Sequence, residues 1–320
     1  MSEEGATIVA RSNGRHYPKV EVLILNWNLW EMTIECLKSL NKSTYTNWAA
    51  TIIDNGSSND SVRRISDWVT WQMDGEGRPL EDRVKVVVSD QNLGYTGGNN
   101  LGIKMILEKN DAEFVLLLNN DVVLGSDAVE LLLEIALSNT SYALLGPKIL
   151  QMDSPDKIQC KGARVSKNFV VTNPIGFGRS DSNDSDGAFE VDAVYGACML
   201  ASVISLRRIG GFDETIRFYG EDIDLCLRAR TLGYKVGCVP KARVWHKGEA
   251  STKCLGVNMR FNNGRGRAIL LKRYAPLEMR VLYPFLRLPR ELGAVINCDR
   301  SVRSVLAYVR GYVSASLGTE

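Results

Sequence analysis

The sequence predicts an α/β fold on a mostly parallel, doubly wound sheet, with a helical extension at its C-terminal end. Three observations predict it. Apolar, β-branched runs of five to seven residues recur between residues 20 and 149, stretches with apolar residues at helical spacing separate them, and polar sets rich in Asn, Asp and Gly follow four of the runs. Strands that alternate with helices imply βαβ units, which build parallel sheets covered on both faces. The 320 residues allow one large α/β domain or two modest ones. With 45% hydrophobic and 24% charged residues, a mainly disordered, collagenous or coiled-coil chain is excluded.

Residues 1–18 are polar and aperiodic and read as a flexible leader ending at Pro18. Val20–Leu25 is the first strand, and Met32, Cys36, Leu37 and Leu40 mark one face of the helix behind it. Ala49–Ile53 is the second strand, followed by Val62, Ile65 and Val69 at helical spacing. Strand Val84–Val88, helix Asn99–Lys109, strand Phe114–Leu118, helix Ala128–Ser138 and strand Ala143–Ile149 continue the alternation. Residues 151–190 break it, since Pro155, Pro174 and the polar run Ser180–Gly187 predict hairpins and a surface loop. Periodicity returns at Val191. Near the end, Leu277–Leu292 mixes Leu, Tyr, Phe and Arg around Pro284 and Pro289, and Val302, Val305, Leu306, Val309 and Val313 recur at helical spacing.

The net charge of +2 conceals an asymmetry: residues 1–240 hold 24 Lys+Arg against 32 Asp+Glu, while residues 241–320 hold 15 against 5. The chain reads as an acidic body with a basic end. Seven cysteines, an odd number without a C-x-x-C pair, read as buried free thiols of a reducing, cytoplasmic compartment. Met1–Ala10 lacks the basic-then-apolar plan of a signal peptide. The longest apolar stretch, Val191–Leu206, includes Asp192 and falls short of the ~20 apolar residues that a spanning helix needs.

Ligands of open α/β sheets bind beyond the carboxyl ends of the strands. The residues there are Asn26-Trp27, Asp54-Asn55-Gly56, Asp90-Gln91-Asn92 and Asn119-Asn120-Asp121. They are types that make turns, and they also supply hydrogen bonds to a polar ligand and hard oxygen for a cation. Gly94-Tyr95-Thr96-Gly97-Gly98-Asn99-Asn100 precedes a helix and matches neither G-x-G-x-x-G nor G-x-x-x-x-G-K-[ST], which counts against dehydrogenases and ATPases. Glu221 and Asp222 follow a glycine and open a helix, where carboxylates suit the dipole and one could serve as a general base. His246, one of two histidines, ends an apolar segment, and such a histidine is more often structural than a ligand.

Together these segments resemble glycosyltransferase family 2, most of all its rhamnosyltransferase-like group. The resemblance rests on Asn26-Trp27-Asn28, Asp54-Asn55-Gly56-Ser57, Asn92-Leu93-Gly94 with Gly97-Gly98-Asn99-Asn100, Leu118-Asn119-Asn120-Asp121-Val122, Tyr195-Gly196-Ala197-Cys198-Met199-Leu200, Gly210-Gly211-Phe212-Asp213-Glu214, Tyr219-Gly220-Glu221-Asp222-Ile223-Asp224-Leu225-Cys226 and Trp245-His246, in that order over about residues 20–275. It implies a GT-A fold, a UDP- or dTDP-sugar donor, a divalent metal (Mn or Mg) and inversion at the anomeric carbon. Asp54 would accept from the base or ribose, with Asn26, Trp27 and Asn55 in the same nucleotide pocket. Gly97 and Asn99 would border the diphosphate and sugar. Asp121 would ligate the metal, with Asn119 and Asn120 beside it and His246 as second ligand. Asp222 would be the base and Glu221 would orient the acceptor or sugar. Asn119 departs from the family's D-x-D pattern, and Gly266 stands for Asn in a segment whose Arg265 and Arg267 would pair with diphosphate.

On this reading residues 19–275 form the catalytic domain, with a nucleotide-binding part at 19–150 and an acceptor and catalytic part at 151–275. Residues 276–320 form a basic helical extension. That extension is read as an appendage packed on the domain, as a contact between copies of the chain, or as a peripheral surface for the inner face of a membrane that carries a lipid-linked acceptor; the acceptor is otherwise a glycan. No recognised nucleic-acid motif accompanies it. A nucleotidyltransferase and a non-catalytic sugar-nucleotide-binding subunit are the alternatives, and the basic triphosphate loop that the former needs is missing from Leu25–Leu29.

Overall fold

The computed structural model describes residues 17–182, 184–248 and 256–318. Most of the proposed leader and Cys254 lie outside the described residues. The first half runs β1 (Val20–Asn26), α1 (Trp30–Asn41), β2 (Trp48–Asp54), α2 (Ser61–Thr70), β3 (Val84–Val88), α3 (Gly94–Lys109), β4 (Phe114–Asn119), β5 (Val122–Leu124), α4 (Ala128–Ser138) and β6 (Tyr142–Gln151). Then come β7 (Ser154–Cys160), β8 (Ala163–Val165), β9 (Thr172–Pro174), β10 (Phe189–Glu190), β11 (Cys198–Ser202), α5 (Val203–Ile209), α6 (Glu221–Thr231) and β12 (Lys235–His246). Four helices follow: α7 (Gly256–Tyr274), α8 (Leu277–Leu286), α9 (Leu288–Asp299) and α10 (Val302–Leu317).

The main sheet has the order β10-β12-β6-β11-β4-β1-β2-β3. Strands β4, β1, β2 and β3 are parallel, as the βαβ rhythm requires, whereas β11 enters antiparallel between β4 and β6 and makes the whole sheet mixed. Alternation along the central strands divides the core. Val20, Val22, Ile24, Leu116 and Leu118 face α1, α2 and α4, while Leu23, Val115 and Leu117 face α3 and the α5–α6 side.

Pro240 interrupts β12. It cannot donate to a ladder, and the pairing of β12 with β6 shifts register between Val239 and Arg243. Beyond the irregularity β12 also pairs with β5, which sets His246 opposite Val122. A third, smaller core gathers Val170, Ile216, Leu270, Leu271, Ala275 and Tyr283 beneath the C-terminal helices. Cys36, Cys160, Cys198, Cys226 and Cys238 are buried free thiols, while Cys298 is exposed. Burial pushes the Cys160 and Cys198 thiols up to about 12, as expected for inert core residues.

Candidate active site

The ends of β1, β2 and β4 lie side by side, because β1 pairs with β2 through Asn26↔Asp54 and with β4 through Leu25↔Asn119. Asn26 and Asp54 are fully buried. Asn26 Nδ2 donates to Asp54 Oδ2 at 2.7 Å, and Thr33 Oγ1 donates to Asn26 Oδ1 at 2.8 Å. Ser57 donates to both Asp54 oxygens, through its N–H at 3.0 Å and its hydroxyl at 2.7 Å. Asn120 Nδ2 joins by donating to Thr33 Oγ1 at 3.1 Å. This network is the floor of the strand edge. In this structure Asn26 and Asp54 do not line either cavity described below, because their polar atoms are engaged within the protein, whereas Trp27, Asn55 and Asn120 reach the wall of one.

Asn55 holds the segment between β3 and α3. Its Nδ2 donates to Asn92 Oδ1 at 3.1 Å and to the Gly94 carbonyl at 3.0 Å, and its Oδ1 accepts from the Leu93 N–H at 2.9 Å. Gly56 has φ +72, and a Cβ there would lie 2.6 Å from the Gln91 carbonyl carbon, so only glycine lets this segment settle on the tip of β2. Helix α3 begins at Gly94, not at Asn99, and Gly97 and Asn99 are buried in its first turns without lining a cavity. A Cβ at Gly98 would stand 2.5 Å from Leu25 Cδ1, and one at Gly102 would stand 2.2 Å from Leu23 Cδ1. These glycines serve close packing of α3 on β1.

Asn119-Asn120-Asp121 form the turn from β4 to β5. The Tyr95 hydroxyl lies 3.2 Å from Asn119 Oδ1 and 3.1 Å from the Gly196 carbonyl, which ties α3 to this turn. Asp121 Oδ1 is 3.2 Å from His246 Nε2, and His246 Nδ1 is 3.0 Å from Gln159 Oε1. The backbone helps, since the Lys247 N–H donates to the Asp121 carbonyl at 3.1 Å. Among the described residues no group of three His, Cys, Asp or Glu could hold a metal, so the pair stands without a third such side chain.

Glu221 and Asp222 open α6 behind a strained bend, with φ +65 at Tyr219 and +101 at Gly220. A Cβ at Gly220 would meet Leu270 Cδ1 at 2.7 Å. Asp222 Oδ2 accepts from the Gly196 N–H at 3.1 Å, and Asp222 Oδ1 accepts from the Ile223 N–H at 2.8 Å. Glu221 is 8% exposed and its Oε2 has no hydrogen-bond partner. Burial, joined by the neighbouring Asp222 charge, raises the Glu221 carboxyl well above the ordinary range, and burial raises Asp222 against the pull of its N–H donors.

Two cavities meet here. One, of about 420 Å³, is lined by Asp121, His246, Glu221, Asp222, Asn263 and Arg267 among others. The second, of about 560 Å³, is lined by Trp27, Asn55, Asn92, Arg217 and Asn258. Tyr95, Asn119, Asp121 and Phe218 border both, and each volume suits a small organic ligand. Arg267 donates from Nη1 to the Val170 carbonyl at 2.8 Å and pairs through Nε with Glu291 Oε2 at 3.4 Å. Arg265 instead donates to the Thr215 carbonyl at 3.3 Å and lines neither cavity. Tyr95 stands inside a glycine segment that the sequence marks without singling it out. Gln159 and Arg217 carry no sequence signal, because only the β7 pairing and the loop before α6 bring them to the site.

The "Glycosyl transferase family 2" profile matches residues 21–182. A low-salt glycan biosynthesis hexosyltransferase of Haloferax volcanii, Agl10, is 27% identical over 58% of this chain and 54% of its own length. The rhamnosyltransferase WbbL of Escherichia coli K12 is 28% identical over 50% of this chain and 62% of its own. The matches thus span between half and two thirds of these relatives. The mannosyltransferase PcManGT of Pyrobaculum calidifontis, solved with GDP-Man and Mn²⁺, superposes with a TM-score of 0.59 at 13% identity, over 95% of this chain and 89% of that one. That likeness establishes the shared GT-A fold. The ordered motifs along the strand edge, the matching profile and the likeness to these relatives agree: the chain belongs to glycosyltransferase family 2.

Proposed function

We propose that the enzyme moves a hexose or rhamnose from a UDP- or dTDP-sugar to a hydroxyl of a glycan or lipid-linked acceptor, with inversion and with a divalent ion, Mn or Mg. The observation that carries this reading is the presence of Asp222 and the Asp121–His246 pair on the walls of one cavity, with Asp121 also bordering the cavity that holds Trp27 and Asn55. The donor nucleotide lies against Trp27 and Asn55, on the floor held by Asn26 and Asp54.

The Asp121–His246 pair fits a divalent ion. The Oδ1–Nε2 separation of 3.2 Å is close to the ~3 Å edge of an octahedral site with ligands near 2.1 Å, and Gln159 fixes the far ring nitrogen as ligating histidines require. Asp121 and His246 would hold such an ion, which would take its other ligands from outside the protein. A bound ion would supply positive charge to offset the charge that develops on the departing diphosphate.

Asp222 is oriented by the Gly196 and Ile223 N–H groups and takes the proton of the acceptor hydroxyl. The hydroxyl oxygen forms its bond to the anomeric carbon as the bond to the diphosphate oxygen breaks on the opposite face, which inverts the centre. Glu221 orients acceptor or sugar, and Arg267 adds positive charge to the same cavity.

Thermal shift with UDP, dTDP and GDP, each with and without Mn²⁺, tests the reading. Stabilisation of about 2.7 kcal/mol at hundredfold excess over Kd is expected for the preferred nucleotide, with the Mn²⁺-dependent part lost in Asp121→Ala. Absence of metal-linked stabilisation by all three nucleotides would contradict the assignment and favour a binding subunit.

A further inference from the structure

We propose that the outward faces of α8 and α10 dock the protein onto the surface of an anionic bilayer. Helix α10 packs on α7 through Ala307, Tyr308 and Gly311, yet its opposite side carries Val302, Leu306, Val313 and Leu317, of which Val302 and Leu317 are 74% and 72% exposed. At 3.6 residues per turn these four fall within an arc of about 60°. On α8, Leu277, Val281 and Phe285 stand one turn apart and are 70%, 62% and 75% exposed. The other side of α8 is fixed by the buried Tyr283, whose ring stacks on Tyr312 of α10 at 5.3 Å between centroids. Single apolar side chains on a surface are ordinary; a row along each of two helices marks a contact.

Charge selects the partner. From Leu277 to Leu317 the chain carries Arg280, Arg287, Arg290, Arg300, Arg303 and Arg310 against Glu278, Glu291 and Asp299. Glu291 is paired with Arg267 and Arg287, and Asp299 with Arg260. Arg290, Arg300, Arg303 and Arg310 are exposed and form no ion pair among the described residues. A second copy applied across a two-fold axis would set one basic face against another. An anionic headgroup layer neutralises them, and the acyl boundary beneath it accepts Leu, Val and Phe. No helix of the described residues is long and apolar enough to cross a membrane, and the contact proposed lies in the interface plane.

The face is joined to the site. Gly264 of α7 touches the α10 backbone, while Asn263 and Arg267 of the same helix line the cavity that holds Asp222. Glu291, which pairs with Arg267, also accepts from the hydroxyls of Tyr283 on α8 and Tyr308 on α10. Docking would bring a lipid-linked acceptor to that cavity, a consequence that rests on the proposed transfer, whereas the docking does not.

Flotation of the full chain with vesicles of phosphatidylcholine alone, and of equal parts phosphatidylcholine and phosphatidylglycerol, tests it. The protein is expected to float with the anionic vesicles only. Arg303→Glu with Arg310→Glu, and separately Leu306→Asp with Phe285→Asp, should each lower the bound fraction about tenfold at unchanged melting temperature. Failure to float, equal binding to both vesicles, or binding indifferent to both pairs of substitutions would overturn the proposal. So would a dimer in sedimentation that the same substitutions dissociate. Nucleotide stabilisation measured on the same samples separates the readings: loss of flotation with stabilisation intact removes docking alone, and the converse removes transfer alone.

Discussion

Glu221 is buried and Asp222 half-buried at the start of one helix, and desolvation raises both carboxyl groups from their ordinary values. In the unfolded chain the same groups titrate normally, so above that ordinary range the folded state binds more protons than the unfolded state. Stability contributed this way is complete at acidic pH and is lost as pH rises toward the raised values. Glu221→Gln, which cannot ionise, is expected to flatten the decline: its urea-unfolding free energy should fall less between pH 5 and pH 8 than that of the wild type. Parallel pH profiles for the two proteins would contradict the account. Burial also raises Asp222 from its ordinary value, so transfer should rise with pH as Asp222 ionises to the free base.

Close helix packing is written in glycines. A Cβ at Gly311 would lie 1.9 Å from the Phe261 carbonyl oxygen, and one at Gly264 would lie 2.0 Å from the Tyr308 carbonyl oxygen, so α7 and α10 cross with backbones in contact. Gly311→Ala gains roughly 1 kcal/mol of helix propensity. It also forces two backbones apart, an overpacking cost of typically 1–3 kcal/mol with no flexible side chain to yield. Because two backbones must yield, the cost falls at the upper end of that range, and we expect net destabilisation by about 2 kcal/mol in urea melts; a variant as stable as the wild type would show that the crossing is looser than described.

The strands from Val20 to Ile149 were legible in the sequence because apolar period and turn residues agree there. The start of α3 was not. Gly94, Gly97 and Gly98 have poor helix propensity and read locally as a loop, whereas in the fold they belong to the helix, with Gly98 packed close on Leu25 of β1. The short β5 escaped for a related reason, since its pairing with β12 is set by a partner distant in sequence, whereas β7 is one arm of the hairpins expected over residues 151–190. At the site, the strand-end motifs marked Asn55 and Asp121, while Glu221, Asp222 and His246 were marked by other features, and the fold brings all five to the walls of two adjoining cavities. The motifs could not separate Asn26 and Asp54, which form the floor of the strand edge, from Trp27, which borders the space above it.

For the whole molecule, the acidic body and basic end correspond to different physical tasks. The sheet brings Asp121 to the wall of two adjoining cavities, α6 adds Glu221 and Asp222 to one of them, and α7 adds Arg267, which pairs with Glu291 of α9. The central claim is that Asp222 deprotonates the acceptor in the cavity beside Asp121 and His246. The most direct measurement is turnover of a nucleoside-diphosphate sugar by Asp222→Asn and by wild type, with nucleotide binding followed on the same samples. Transfer should fall by 10² or more, within the ~10²–10⁴ range of general base catalysis, while nucleotide binding stays near the wild-type level. Wild-type turnover in Asp222→Asn would contradict the account.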